Sequence, residues 1–263
     1  MALFERYIGI DYSGAQTPVS SLPGLRVYMA SPGQPPLEIK AHESGIVPSK
    51  KHWSRRGIAE FLARELESGS CALVGIDHGF SFPISYFEKH SLAHDWHEFL
   101  DDFQKHWPTD LDHMKVDLIR NGTEGKGSLR MGNSRWRRLA EQRCKAKSVF
   151  HFDVQGSVAK STHTGLPWLL YLRRQLGKRL HFWPFDGWQP PKGKSVIAEV
   201  YPSLCNQNYP NQGVSPDQHD AYCVARWMRE SDLAGSLAKC FQPELARDEK
   251  IQAKIEGWIL GLP

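Results

Sequence analysis

Short apolar runs that end in a turn alternate along the chain with longer stretches in which apolar residues recur every three to four positions. Residues 7–10, 72–76 and 196–200 are almost uninterrupted apolar runs, which is the pattern of strands covered on both faces. Residues 25–30 and 37–41 each follow a turn rich in proline and glycine, and they read as two further strands. The first three strands in chain order are therefore predicted to form a meander.

Helical spacing follows the meander and recurs toward the end of the chain. Apolar residues at 58, 61, 62 and 66 predict a helix with Ser54 as its N-cap and Gly69 just past its end. A second helix is predicted over 168–176, with Pro167 near its start and Gly177 at its end. A third begins at Ser215, and Ile251, Ile255, Trp258 and Ile259 indicate a last one.

Strands joined through helices predict an α/β fold with a mixed sheet, because a crossover helix returns the chain to a parallel strand. From about residue 84 to residue 150 the regular pattern lapses into histidine, tryptophan and basic residues. We interpret that segment as a helical, basic insertion after the fourth strand, rather than as core. The prediction is a single domain over 1–263 with an insertion at about 84–150.

Composition places the chain among globular proteins, with 40% hydrophobic and 24% charged residues in a length of 263. The five cysteines are odd in number and include no C-x-x-C pair, which fits a reducing compartment. The first residues carry charges where a secretory signal needs an apolar region, and no apolar run reaches the roughly 18 residues of a membrane span. A cytoplasmic location is expected.

Positive charge is concentrated between residues 120 and 147, where nine lysines and arginines stand against Glu124 and Glu141. Basic side chains with an interleaved aromatic can follow a phosphate backbone and stack on a base. The alternative is a solvated, arginine-rich helix face. The candidate substrate-binding residues here are Arg130, Arg135, Trp136, Arg137 and Arg138.

Acidic residues stand at or near the ends of the three most apolar strands. They are Asp11, Asp77 and Glu199. Any one of them alone reads as a cap or turn residue. Because ligand sites of such sheets lie at the carboxyl ends of the strands, the three together predict a carboxylate cluster, and Mg²⁺ favours such oxygen ligands.

Two further acids belong to the helix that begins at Ser215. Asp217 and Asp220 are three residues apart, on the helix face that also carries Ala221 and Val224. That apolar face must pack on the sheet, so both acids are predicted to point inward. Asp217 has the alternative role of stabilising the helix N-terminus, which does not account for Asp220.

Four motifs in this order resemble those of the DUF429 family, which is grouped with predicted nucleases of ribonuclease H-like fold. They are G-I-D-Y-S-G-A from Gly9, G-I-D-H-G-F-S-F-P from Gly75, A-E-V-Y-P from Ala198 and D-Q-H-D-A from Asp217. The resemblance covers nearly the whole chain, up to the E-G-W-I-L segment at 256–260. It implies a ribonuclease H-like fold.

The same resemblance implies a catalytic and metal-binding set of Asp11, Asp77, Glu199 and Asp220, with Asp217 as a further metal ligand. One departure stands out. Ribonuclease H takes an acid from the helix after its third strand, which Glu60 or Glu65 could supply here.

The resulting hypothesis is a nuclease in which two Mg²⁺ or Mn²⁺ ions, about 4 Å apart, hold the scissile phosphate of a nucleic acid. Further candidates for contact with substrate are Ser13, Lys160 and His163, and Lys160, His163 or His219 could also transfer protons. For Lys160, His163 and His219, the alternative is a role at the surface or at the end of a helix. Two other functions stay open: nucleotide-dependent phosphotransfer of the actin and sugar-kinase kind, and a nucleic-acid-binding module without turnover.

Overall fold

The computed structural model describes residues 2–47 and 49–263, which form a mixed six-stranded sheet with helices packed against it. The strand order is β3-β2-β1-β4-β6-β5. β2 is antiparallel to β1 and β3, whereas β1, β4, β6 and β5 run parallel to one another. The α/β class is therefore confirmed. The strands are β1 (Arg6–Asp11), β2 (Arg26–Ser31), β3 (Gln34–Glu38), β4 (Ala72–Ile76), β5 (Leu180–Trp183) and β6 (Ser195–Glu199).

The helices lie between β3 and β4, between β4 and β5, and after β6. Two of them begin as the sequence predicts: the Ser54 hydroxyl caps the first, and Ser215 with Gln218 forms a capping box on the longest C-terminal one. The helices are α1 (Arg55–Glu67), α2 (Ile84–Lys89), α3 (Trp96–His106), α4 (Val116–Arg120), α5 (Leu139–Arg143), α6 (Ala159–Leu176), α7 (Pro216–Leu233), α8 (Leu237–Cys240) and α9 (Arg247–Glu256).

Pro167 lies inside α6 rather than near its start, because the helix begins eight residues earlier, at Ala159. Proline has no N–H, so the carbonyl of His163, one turn before it, loses its helical donor. The Thr109 hydroxyl donates to that carbonyl at 2.7 Å instead. A contact from another part of the chain thus allows α6 to continue through Pro167.

Two other boundaries differ from the predictions, and one strand was not predicted. The third strand is Gln34–Glu38 rather than 37–41, since a 3-10 turn begins at Ala41. α9 ends at Glu256, and Ile259 beyond it forms a parallel bridge with Glu199. β5 (Leu180–Trp183) is a strand that the sequence analysis does not predict.

Alternate residues of the strands face two separate cores. On one face, Ile10 and Ile76 pack in the cluster that includes apolar residues of α1 and α6. On the other face, Tyr7 and Leu73 pack in the cluster that includes residues of α7 and α9. The side of the sheet to which a residue points therefore follows from its position along the strand.

Residues 84–150 are helical in part, as expected, but they are not separate from the core. Aromatic residues of this segment, such as Tyr86, Phe99 and Trp107, are fully buried in the same cluster as Ile10 and Ile76. The expectation that the segment is an insertion rather than core is wrong in this respect. Aromatic residues that stand among its histidines and arginines pack together in the core.

Within 2–47 and 49–263, no helix is both long and apolar enough to cross a membrane. All five cysteines are free thiols, in agreement with the absence of paired spacing.

Candidate active site

The tripeptide Gly-Ile-Asp occurs at the ends of two adjacent strands. Gly9 of β1 lies opposite Gly75 of β4 in parallel register, so that Asp11 and Asp77 follow at equivalent positions. The Asp77 amide donates to the carbonyl of Ile10 at 3.0 Å, which continues the pairing past the end of β4. Side chains two residues apart share a face, so both aspartates project from the face that carries the two glycines.

α7 lies directly on those glycines. A Cβ added at Gly9 would stand 2.3 Å from the carbonyl oxygen of Ala221, and one at Gly75 would stand 3.0 Å from the Val224 side chain. Only glycine permits the helix backbone to approach a strand this closely. The first turns of α7 are thereby placed over the ends of β1 and β4, beside Asp11 and Asp77.

Those turns supply the other two carboxylates. Asp217 and Asp220 line the same cleft as Asp11 and Asp77, so four of the five predicted acids come together. The amide of Asn206 donates to the Asp220 carboxylate at 2.9 Å and orients it. An N-terminal position on an 18-residue helix also favours negative charge there, because the helix dipole is positive at that end.

The cleft in front of the aspartates has a volume of about 780 Å³. Its opposite wall is the N-terminal turn of α6, including Lys160 and Ser161, and the turn after β1 forms its floor. A Cβ at Gly14 would stand 2.2 Å from the Lys160 carbonyl carbon, so this floor and wall meet backbone to backbone. Ser13 and Lys160, both predicted substrate contacts, line the cleft.

Burial and neighbouring carboxylates raise the pKa of two of the carboxyl groups. Burial, followed by the charges of Asp77, Asp217 and Asp220, raises the pKa of Asp11 to about 9, against a smaller lowering by Arg26. Burial, followed by the charge of Asp220 and then that of Glu199, raises the pKa of Asp77 to about 8. The protein itself therefore supplies too little positive charge to keep both aspartates ionised. A bound cation would supply that charge and would lower both pKa values.

The donor set fits a hard divalent cation that retains water. Among the described residues, no three histidine, cysteine, aspartate or glutamate side chains are already grouped to hold one ion. Mg²⁺ is commonly held by one or two carboxylates, with water and substrate phosphate completing its shell. Asp11 and Asp77, flanked by Asp217 and Asp220, offer carboxylates of that kind on an open cleft.

Glu199, in contrast, does not join the cluster, and the expectation that it is a metal ligand is wrong. It pairs with Ile76 in the parallel register of β4 and β6, one position before Asp77, and so points to the other face of the sheet. There both of its carboxylate oxygens accept hydrogen bonds from Arg138, at 2.7 Å each. One oxygen also accepts the Phe80 amide at 3.1 Å.

Arg138 is buried and so has no role at a surface groove. Although burial opposes its charge, Glu199 and Glu141 raise its pKa. Its Nε donates to Glu141 at 2.9 Å, and its Nη1 also donates to the carbonyl of Glu256. Every terminal nitrogen of this guanidinium is engaged, so the predicted contact between Arg138 and substrate is wrong.

The other predicted residues of the basic run lie outside the cleft. Arg130 forms a two-pronged ion pair with Asp102, at 2.7 and 2.9 Å. Trp136 packs against Phe150 of the core. Arg135 and Arg137 are exposed but line neither the cleft nor the smaller cavity next to it. The predicted contacts of Arg130, Arg135, Trp136 and Arg137 with substrate in the cleft are therefore wrong.

His163 is also not in contact with the cleft. It is 1% exposed and lies among aromatic rings, including Phe82, Trp107 and Phe152, with its Nδ1 bonded to the carbonyl of Ala159. Burial lowers its pKa to about 3, so it is neutral. The assignment of His163 to substrate or proton transfer is wrong.

The remaining candidates have other contacts. His219 lies against the Cys223 thiol, 3.4 Å from it. Glu60 and Glu65 do not line the cleft, and Glu65 pairs with Arg6 at the opposite end of β1 from Asp11.

Sequence analysis did not identify Arg55, which is fully buried beneath the floor of the cleft. Its guanidinium donates to the carbonyls of Ser13, Ala15 and Gln16, at 3.2, 2.6 and 2.9 Å. Gln16 has a φ of 52°, in the left-handed region that non-glycine residues rarely adopt. Arg55 thus holds the turn in a strained shape. The feature of the sequence that could have pointed to Arg55 is its position directly after Ser54, the N-cap of α1.

No protein-family model matches the chain, and comparisons with curated proteins and with solved structures found no match either.

Proposed function

We propose that this protein is a magnesium-dependent nuclease that hydrolyses phosphodiester bonds of nucleic acid. The observation that carries the proposal is the convergence of Asp11, Asp77, Asp217 and Asp220, from two paired strands and one helix, on a single open cleft. Carboxylates that share a site with raised pKa values are typical of a place where a cation binds. Mn²⁺ suits the same oxygen donors.

We further propose that the fold is ribonuclease H-like and that the chain is related to the DUF429 family. Support comes from the meander β1–β2–β3 followed by the parallel strands β4 and β6, with acids at the ends of the two central strands. The four resembling motifs supply these elements: two give the Gly-Ile-Asp strand ends, one gives β6, and one gives the first turns of α7.

A bound Mg²⁺ would supply an activated water and would neutralise charge on the scissile phosphate. The ligands would be Asp11 and Asp77, with Asp217 or Asp220 completing the set. Asn206 fixes the orientation of the Asp220 carboxylate. The proposed set omits Glu199, whose carboxylate is saturated by Arg138.

Across the cleft, Lys160 would contact substrate phosphate. Its ammonium now pairs with Asp117 at 2.9 Å, and both side chains are about half exposed. Exposed pairs of this kind contribute at most about 1 kcal/mol, so a phosphate can displace the carboxylate at small cost. The Ser13 hydroxyl lies at the floor of the same cleft and would donate to a phosphate oxygen.

Cleavage of single-stranded, duplex and branched DNA and RNA with Mg²⁺ tests the proposal, with Asp11→Asn as the variant. We expect cleavage of at least one substrate by the intact protein and a loss of about 100-fold or more in the variant. Asp248→Asn, which removes an exposed carboxylate of α9 outside the cleft, is the matched control. No cleavage by the intact protein, or equal cleavage by Asp11→Asn, would refute it.

Metal binding can be measured in the absence of substrate. A ligand that binds only the folded state stabilises it by about 2.7 kcal/mol at a hundred times its dissociation constant. We expect Mg²⁺ to raise the unfolding temperature of the intact protein and of Asp248→Asn, but not that of Asp11→Asn. Calorimetric titration with ATP distinguishes a nuclease from the alternative, a nucleotide-dependent phosphotransferase. Tight binding of ATP together with no nuclease activity would favour the phosphotransferase.

A further inference from the structure

A second, smaller cavity of about 160 Å³ adjoins the cleft. The two share four lining residues, Asp77, Gly156, Val158 and Tyr201. Asp77 therefore borders both spaces, whereas Asp11, Asp217 and Asp220 line only the cleft.

Each space has its own lysines. Lys115 and Lys160 line only the cleft, whereas Lys145 and Lys147 line only the side cavity. Among residues 2–47 and 49–263, neither Lys115 nor Lys145 has an acidic side chain within 4 Å, although most arginines near this region are paired with acids. Each space thus has one lysine, Lys115 or Lys145, that forms no ion pair among the described residues.

The buried floor of the side cavity offers no competing cation. Arg138 lines it, but its donors are used by Glu141 and Glu199. Lys147 contacts the carbonyl of Gln155, and Lys145 has its ammonium free of any such bond among the described residues. An anion in the side cavity would therefore be met by these two lysines.

We propose that the cleft and the side cavity form one continuous groove for a single nucleic-acid strand. Phosphates on one side of the scissile bond would contact Lys115 and Lys160, and those on the other side would contact Lys145 and Lys147. This inference rests on the proposed nuclease function and specifies its substrate as a strand that runs through the site, rather than a mononucleotide.

Two features favour a strand. Cations on both sides of an anionic centre suit a ligand whose negative charges repeat along its length, whereas a mononucleotide would need only one side. The side cavity, at about 160 Å³, has room for a phosphate or a sugar and is far smaller than a base-paired helix.

The experiment measures binding, in Mg²⁺, of a single strand of about ten nucleotides and of a mononucleotide to the Asp11→Asn protein. Lys115→Ala and Lys145→Ala are added separately. Lys178→Ala is the matched control, because Lys178 is exposed at the opposite edge of the sheet, before β5 begins. Each lysine that contacts a phosphate contributes about 0.7 to the slope of log affinity against log salt concentration.

We expect Lys115→Ala and Lys145→Ala each to weaken strand binding several-fold and to lower the salt slope by about 0.7, while Lys178→Ala changes neither. The mononucleotide should bind more weakly than the strand and should be insensitive to at least one of the two changes. Lysine variants that bind the strand like Lys178→Ala, or a mononucleotide that binds as tightly as the strand, would overturn the groove.

The two proposals fail in different ways. If the intact protein cleaves nucleic acid but neither lysine affects strand binding, the groove is wrong and the nuclease stands. If strand binding depends on both lysines but the intact protein cleaves nothing, the groove stands as a binding surface and the nuclease is wrong.

Discussion

Arg138 donates to both carboxylate oxygens of Glu199, each at 2.7 Å, and both side chains are at most 5% exposed. The acid that the sequence places beside the metal site is thus committed to a buried ion pair on the other face of the sheet. Loss of one partner leaves an uncompensated charge in the interior, which costs about 3 kcal/mol or more.

Glu199→Gln is accordingly expected to lower the free energy of unfolding by about 3 kcal/mol. Urea denaturation measures it, and Glu88→Gln, an exposed residue of α2, is the control, with an expected change within about 0.5 kcal/mol. The Mg²⁺-induced rise in unfolding temperature should persist in Glu199→Gln. A variant of unchanged stability that no longer responds to Mg²⁺ would show instead that Glu199 is a ligand.

Gly9→Ala is expected to destabilise the protein by about 2 kcal/mol, because the new Cβ would stand 2.3 Å from the carbonyl oxygen of Ala221 and would force α7 away from β1. The response to Mg²⁺ should weaken as well, since Asp217 and Asp220 move with the helix. Gly33→Ala, in the turn between β2 and β3 with no atom within 4 Å of the added carbon, is the matched control. Equal stability of the two variants would contradict the close contact.

Arg55→Met is expected to loosen the floor of the cleft more than the rest of the fold. The change removes three hydrogen bonds to the carbonyls of residues 13–16 and releases the left-handed Gln16. Amide hydrogen exchange over this turn should accelerate about tenfold or more, which corresponds to the loss of roughly 1–2 kcal/mol of local stability.

The control for that variant is its neighbour. Arg56→Met removes an exposed ion pair with Asp112 and should leave exchange in the turn unchanged. If both variants exchange alike, Arg55 does not hold the turn.

His163 predicts how stability depends on pH. Its pKa is about 3 in the folded protein and near 6.5 in an unfolded chain, so between these values the unfolded state binds the extra proton. Stability is therefore lost as pH falls below 6.5, by about 2 kcal/mol between pH 6.5 and pH 4.5 for this one group.

His163→Phe, which retains an aromatic ring but cannot be protonated, should lose about 2 kcal/mol less than the intact protein over that range. Urea denaturation at the two pH values measures the difference. Parallel losses in both proteins would mean that His163 is protonated in the fold.

The strand ends were predictable because they depend on local chemistry. Each Gly-Ile-Asp follows an apolar run and precedes a turn, and the capping residues Ser54 and Ser215 mark the starts of α1 and α7. The four aspartates of the cleft follow from these local signals and from the parallel sheet.

Glu199 was not predictable in the same way, because its face depends on register. Its position near a strand end resembles that of Asp77, but β6 pairs with β4 so that Glu199 lies opposite Ile76. Only the alignment of two strands more than 100 residues apart in the chain decides this. Arg138 likewise reads as one more surface arginine until its distant partner Glu199 is known.

β5 was missed because its four residues lie in an aromatic sequence that runs directly into Pro184. The pattern resembles a turn, and pairing with β6 through residues such as Phe182 and Trp183 provides the decisive hydrogen bonds. A short strand at a sheet edge has few residues to show a period.

The seating of α7 on Gly9 and Gly75 also has a consequence for how the protein can change. At Gly9 the backbone of α7 itself sets the gap between the helix and the sheet, whereas at Gly75 the side chains of Val200 and Val224 come closest. The distance between the aspartates of the strands and those of α7 should therefore change little when other residues of the cleft are substituted. Substitution of lysines that line the cleft should therefore change ligand preference without changing the distance between the aspartates of the strands and those of α7.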